Sequence, residues 1–306
     1  MPDHSYEFLP PANFLGLPAE FTDRERSRVH VLPIPFEATT TYSGGAKNGP
    51  AAILRASTQV ELYDREFRSE PALDYGVHTF PSISLNLSSP PAAVNGIAKA
   101  VADIAHPDKL LCVLGGEHTT SVGVAEGLLS VHGSFVTVQI DAHADLRDLY
   151  EGTRFSHACA MRRVLELGGK LIQFGIRSLD VTEAEYLADN GSRVTTYYAD
   201  EMRSDRSYLS AVADAVRGQN VFLTIDVDGF DPSIVPATGT PEPGGLLWYD
   251  GLDIIRAVAS TANIIAFDIV ELAPIAGQHA PDFTVAKLAY KTMNISLASP
   301  AWRGRV

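Results

Sequence analysis

The sequence predicts an α/β fold: a mostly parallel central sheet with helices on both faces, in three layers. Three observations carry this reading. Seven short runs rich in Val, Ile, Phe and Tyr recur: 29–36, 110–116, 135–141, 171–178, 194–199, 221–228 and 264–272. Most are nearly continuous in apolar residues, as strands covered on both faces must be. Helical stripes lie between them. Val94, Ile97, Val101 and Ile104 fall at i, i+3, i+7 and i+10, and Leu209, Val212 and Val216 repeat the spacing. Strand and helix therefore alternate, which is the pattern of parallel sheets built from crossovers.

Residues 1–27, rich in proline and polar side chains, read as an N-terminal arm, and residues 28–306 as a single catalytic domain. The formal net charge of −13 speaks against a nucleic-acid surface, which needs a basic face. It also leaves no polybasic handle for an anionic membrane. No apolar run approaches the length of a membrane span, and the N-terminus has no signal-like apolar stretch, so the expected location is the cytoplasm. Cys112 and Cys159 form no CxxC pair, which argues against a zinc ribbon or a disulfide scaffold. Cys112 lies within LLCVLGG and reads as a small core residue.

The strand-like runs end in polar residues. Glu117 and His118 follow LLCVLGG, and Asp141, His143 and Asp145 follow FVTVQI. Asp226, Asp228 and Asp231 follow VFLTI, and Glu271 follows IIAFDIV. Ligands of open α/β sheets bind beyond the carboxyl ends of the strands. In an extended segment, i and i+2 point the same way, so Asp141 with His143, and Asp226 with Asp228, are each expected to face one space. Those spaces merge if the strands are neighbours.

Carboxylates gathered without counter-charge repel one another and take up protons. No lysine or arginine lies within either aspartate pair, so bound cations are the economical partner. Asp141, Asp145, Asp226 and Asp228 supply four negative charges, which two divalent ions balance; His118 and His143 add nitrogen ligands. Carboxylate and imidazole without thiolate suit Mn²⁺ best and admit other divalent transition metals. Two such ions roughly 3.5–4 Å apart activate water at neutral pH. A lone DxD at a strand end is an ordinary capping pattern; the conjunction of GGEH, DxHxD and DxDxxDP behind three apolar strands is not.

At these residues the sequence resembles the ureohydrolase family of arginases and agmatinases. The matching pieces are GGAKNGPAAIL (44–54), LGGEHT (114–119), DAHAD (141–145), SHACAMRR (156–163), TIDVDGFDPS (224–233), TGTPEPGGL (238–246) and DIVELAP (268–274). The resemblance implies one Mn²⁺ on His118, Asp141, Asp145 and Asp226, and a second on His143, Asp141, Asp226 and Asp228. A hydroxide between them would attack the guanidino carbon. His157 matches the histidine given a proton-shuttle role, and Glu271 the acid that holds the guanidinium. Trimers or hexamers are implied as well. Many members carry Asp where this chain has Glu117, which is kept as a residue that orients a metal-binding histidine.

The loop LRDLYEGTRFSHACAMRR (146–163) lacks the asparagine and serine pattern of the arginase loop and is similar to the agmatinase-like branch. The expected reaction is agmatine to putrescine and urea. Asp148 or Glu151 would then supply an acidic rim for a cationic tail. Guanidinobutyrate or another guanidino acid is next, with Arg147 or Arg154 as a cationic rim, and arginine after it. A different class is a histone-deacetylase-like amide hydrolase with a single Zn²⁺, or a homologue without activity. The expected partner is a small guanidino substrate, with no nucleic acid and no membrane.

Overall fold

A computed structural model describes residues 12–303. Eight strands form one sheet: β1 Val29–Pro33, β2 Val77–Thr79, β3 Leu110–Leu114, β4 Val136–Ile140, β5 Lys170–Ile176, β6 Val194–Tyr198, β7 Asn220–Asp226 and β8 Asn263–Val270. Their order is β2-β1-β3-β8-β7-β4-β5-β6, and every pairing is parallel. β2 is the strand that the sequence did not announce. It is VHT on the sheet edge, too short to carry a periodicity.

Alternation along the strands builds the three layers. Leu110, Cys112 and Leu114 of β3 enter one apolar core, while Leu111 and Val113 enter another. The first core takes Val285, Leu288 and Met293 from the helix Ala280–Leu297. The second takes Val94, Ile97 and Val101 from the helix Pro90–Ile104. The first predicted stripe thus faces inward, and the second packs on the first core, with Leu209 and Val212 on the helix Tyr208–Ala215 and Val216 just after it. Each fully buried Leu or Val contributes roughly 1.5–3 kcal/mol.

Of the segment read as an arm, residues 1–11 lie outside the described residues. The later part packs inward. Phe14, Leu15 and Leu17 are buried in the first core, and the Leu15 N–H donates to Ser57 Oγ at 2.8 Å. Among the described residues, no helix is long and apolar enough to cross a membrane.

One glycine fixes how the site is closed. A Cβ on Gly116 would lie 1.9 Å from the Phe36 carbonyl oxygen. The same turn receives the Glu271 N–H on the Gly116 carbonyl at 2.8 Å, and Phe36 O accepts the Glu117 N–H at 2.8 Å. Gly116→Ala is therefore expected to cost about 3 kcal/mol through overpacking, read as a lower Tm. An unchanged Tm would show that the 36–39 segment yields freely.

Candidate metal centre and active-site cavity

β3, β8, β7 and β4 stand side by side in the middle of the sheet. The registers Leu114↔Ile269, Ile225↔Ile269 and Ile140↔Ile225 bring their ends level. The polar residues behind each strand therefore share one space.

All six expected metal-binding residues meet there. His118 Nδ1 lies 3.1 Å from Asp141 Oδ2, 2.9 Å from Asp145 Oδ2 and 3.3 Å from Asp226 Oδ2. His143 Nδ1 lies 3.1 Å from Asp228 Oδ2 and 3.7 Å from Asp141 Oδ1. Asp141 thus turns one oxygen to each histidine. Donor atoms of His118, Asp141 and Asp145, and those of Asp141, His143 and Asp228, gather within 4.8 Å in two groups that share Asp141.

The backbone reaches this arrangement differently from the extended spacing read in the sequence. Asp226 ends β7, but Asp228 sits in a 3-10 turn, Val227–Gly229, whose N–H donates to Asp226 Oδ1 at 3.0 Å. The turn, not a strand, brings the two aspartates together. Asp145 and Glu271 adopt left-handed backbone, at φ 54° and 64°. Such conformations in residues other than glycine cost on the order of 1–3 kcal/mol each and cluster at functional sites.

The electrostatics ask for positive charge. Burial opposes a charge on His118, yet Asp141, Asp145 and Asp226 push its pKa well up. Burial likewise opposes His143, but Asp228 and Asp141 push it up to about 12. Asp226 and Asp228 are themselves raised, by burial and then by neighbouring aspartates. His118 Nδ1 is buried and completes no hydrogen bond, although three carboxylate oxygens converge on it. A hard anionic cage focused on one point fits divalent cations.

Residues that the motifs did not name hold the cage in place. Thr224 Oγ1 lies 3.0 Å from His118 Nε2 and 3.3 Å from Ser121 Oγ, which donates to Asp268 at 2.6 Å. Gln139 Nε2 donates to Asp141 Oδ2 at 2.6 Å, and Gln139 Oε1 accepts from Gln173 Nε2 at 2.6 Å. Groups behind the ligands fix their orientation. The available signal was a polar residue inside a buried strand, as Thr224, Gln139 and Gln173 are.

Glu117 does not orient a metal-facing histidine as expected. Its side chain turns to the 38–39 segment and accepts from Ala38 N–H, Thr39 N–H and Thr39 Oγ1 at 2.6, 2.7 and 2.8 Å. Glu271 accepts the His118 N–H at 2.7 Å instead.

The cage opens into a cavity of about 250 Å³ whose walls include Tyr42, Arg147, Tyr150, His157, Glu183 and Glu271. His157 starts the 3-10 turn His157–Cys159, with its ring edge-on to Tyr150 at 6.0 Å. Cys159 is buried and is not a wall residue. The expected rim residues divide. Arg147 reaches the wall, engaged by Asp180 at 2.8 Å and stacked over Tyr150 at 4.8 Å. Asp148, Glu151 and Arg154 do not line the cavity. Asp148 is taken by Arg163 at 2.6 Å and by Arg154 at 3.1 Å. Glu183, not singled out in the sequence, supplies an acid in the wall.

The chain is similar to known proteins along nearly its whole length. Residues 27–294 match the sequence profile of the Arginase family. An N(1)-aminopropylagmatine ureohydrolase of Synechocystis sp. is 39% identical over 294 residues, 92% of this chain and 95% of the relative. An agmatinase of Pyrococcus horikoshii is 34% identical over 87% of this chain and 91% of the relative. The crystal structure of agmatine ureohydrolase of Thermoplasma volcanium superimposes with a TM-score of 0.80 at 27% identity, covering 94% of each chain. A cage assembled from four strand ends, in a fold shared along nearly its whole length, places this chain in the arginase family.

Proposed function

We propose that this chain hydrolyses the guanidino group of a compound with a cationic tail, releasing urea and an amine. One observation carries the reading: the carboxylate–imidazole cage, Glu271 and His157 share a single cavity. In this proposal His118, Asp141, Asp145 and Asp226 hold one ion, and His143, Asp141, Asp226 and Asp228 the other. Mn²⁺ is the expected metal, since the donors are oxygen and imidazole nitrogen alone. When bound, the ion pair supplies a nucleophile from water at neutral pH and Lewis acidity toward developing charge.

The chain's own groups do the rest. Glu271 is held by the His118 N–H and by its left-handed backbone. Its carboxylate accepts parallel N–H bonds from a planar guanidinium and orients the guanidino carbon over the cage. Burial and then the nearby Glu117 push the Glu271 carboxyl well up; an incoming cation offsets that and favours the ionised form. His157 delivers a proton to the leaving nitrogen as its bond to the guanidino carbon breaks, a transfer suited to imidazole.

Agmatine and its N(1)-aminopropyl derivative are the candidate substrates, taken from the names of the relatives. The cavity supports a cationic tail. Arg147, a wall cation, is engaged by Asp180 at 2.8 Å and lies 3.9 Å from the wall acid Glu183, whose oxygens accept the Leu146 and Asp180 N–H groups, so the charge of Arg147 is already offset by two acids. Urea release from agmatine, N(1)-aminopropylagmatine, arginine and guanidinobutyrate tests this. The cationic tails are expected to exceed the carboxylate-bearing compounds at least tenfold in kcat/KM, a floor well below the roughly 10⁴–10⁵-fold that sites built on buried polar contacts reach. No urea from any of the four would overturn the reading. A homo-oligomer, trimer or hexamer, in the cytoplasm completes the proposal.

Metal loading should be coupled to protons. Burial opposes charge on both imidazoles, but the surrounding aspartates raise them in the metal-free cage, which favours their protonated forms. Ligating imidazoles must be bare. Mn²⁺ therefore displaces those protons, and its apparent affinity rises with pH. Calorimetry in buffers of different ionisation heat is expected to show net proton release on Mn²⁺ binding. Release of none would show that the imidazoles are already unprotonated.

A further inference from the structure

Glu117 is fully buried, ligates nothing in the scheme above, and is tied to the wall of the cavity. Its Oε2 accepts the backbone N–H groups of Ala38 and Thr39 at 2.6 and 2.7 Å. Its Oε1 accepts the Thr39 hydroxyl at 2.8 Å. The same hydroxyl oxygen accepts the His157 N–H at 3.0 Å and lies 3.4 Å from His157 Nδ1. A hydroxyl has one proton to give. With that proton drawn to a buried carboxylate pinned by two backbone donors, Thr39 meets Nδ1 only as an acceptor. The proton of the neutral ring then resides on Nδ1, and Nε2 is left to exchange protons with the substrate. Ser156 Oγ, also 3.4 Å from Nδ1, can accept the same proton.

We infer that Glu117 and Thr39 are positioning residues that fix the orientation and tautomer of His157. The inference rests on the proton-transfer role proposed for His157. The segment they anchor continues into Thr40, Thr41, Tyr42 and Ser43 of the cavity wall, so one buried acid ties wall and histidine together.

The test uses the metal-loaded enzyme. Thr39→Val keeps the shape and removes the hydroxyl; kcat is expected to fall roughly 10–100-fold, the scale for a group acting through another. KM and the metal content stay near wild type, and Thr39→Ser restores kcat. In a His157→Asn background, Thr39→Val is expected to cause no further loss, since the two act as one unit. An equal loss in that background, or failure of Thr39→Ser to restore turnover, would overturn the inference in favour of a structural role. A normal kcat for Thr39→Val beside an impaired His157→Asn overturns this inference alone. A normal kcat for His157→Asn overturns the role proposed for His157, and this inference with it.

Discussion

Asp141→Asn is expected to lose both metal ions and at least about a thousandfold in turnover, the scale set by removing metal assistance to the reaction. Among the described residues, Asp141 is the acid that faces both histidines, Oδ2 toward His118 and Oδ1 toward His143. Each oxygen already has a donor. Gln139 Nε2 reaches Oδ2, and the His143 N–H reaches Oδ1, both at 2.6 Å. An amide of the same shape offers one acceptor for those two donors and carries no charge. Its NH₂ group turns a donor toward a metal position, where none can ligate. The fold should survive, because the substitution also relieves repulsion among buried aspartates. Elemental analysis after desalting, beside a melting curve, reads both effects. Retention of both ions would contradict the bridging role of Asp141.

Glu271→Gln is expected to do the opposite to the metals. Its side-chain oxygen still accepts the His118 N–H, so the cage stays in place and two ions remain bound. What disappears is the anion that pairs with the guanidinium. A charge-assisted bidentate contact becomes a neutral one with one acceptor. Loss of one oriented electrostatic contact of this kind costs on the order of 10²–10³-fold in turnover. Near-normal rates would remove Glu271 from the substrate. The pair of variants separates the two halves of the site, one holding metal and the other holding substrate.

The sequence showed which strand ends carry chemistry, because buried acids without a basic partner are rare and stand out in apolar runs. It did not show that β3, β8, β7 and β4 are neighbours. Strand order in a parallel sheet comes from pairings between distant segments, and no local pattern encodes it. The spacing of Asp226 and Asp228 was visible, but its cause was not, since a 3-10 turn and a strand end both bring the two close. Glu117 looked like a support for the neighbouring histidine; only the Gly116 turn against Phe36 reveals that it faces Thr39. The rim was least legible. Asp148 read as a free acid, yet Arg163 on the next helix claims it. Exposed charges find partners that depend on tertiary packing.

The central claim is that this cage is dinuclear and that hydrolysis depends on both ions. Chelator-stripped protein titrated with Mn²⁺, with bound metal and urea release from agmatine or N(1)-aminopropylagmatine read together, tests it most directly. Binding is predicted to saturate at two ions per chain, with full activity reached only as the second site fills. Saturation at one ion per chain with full activity would contradict it.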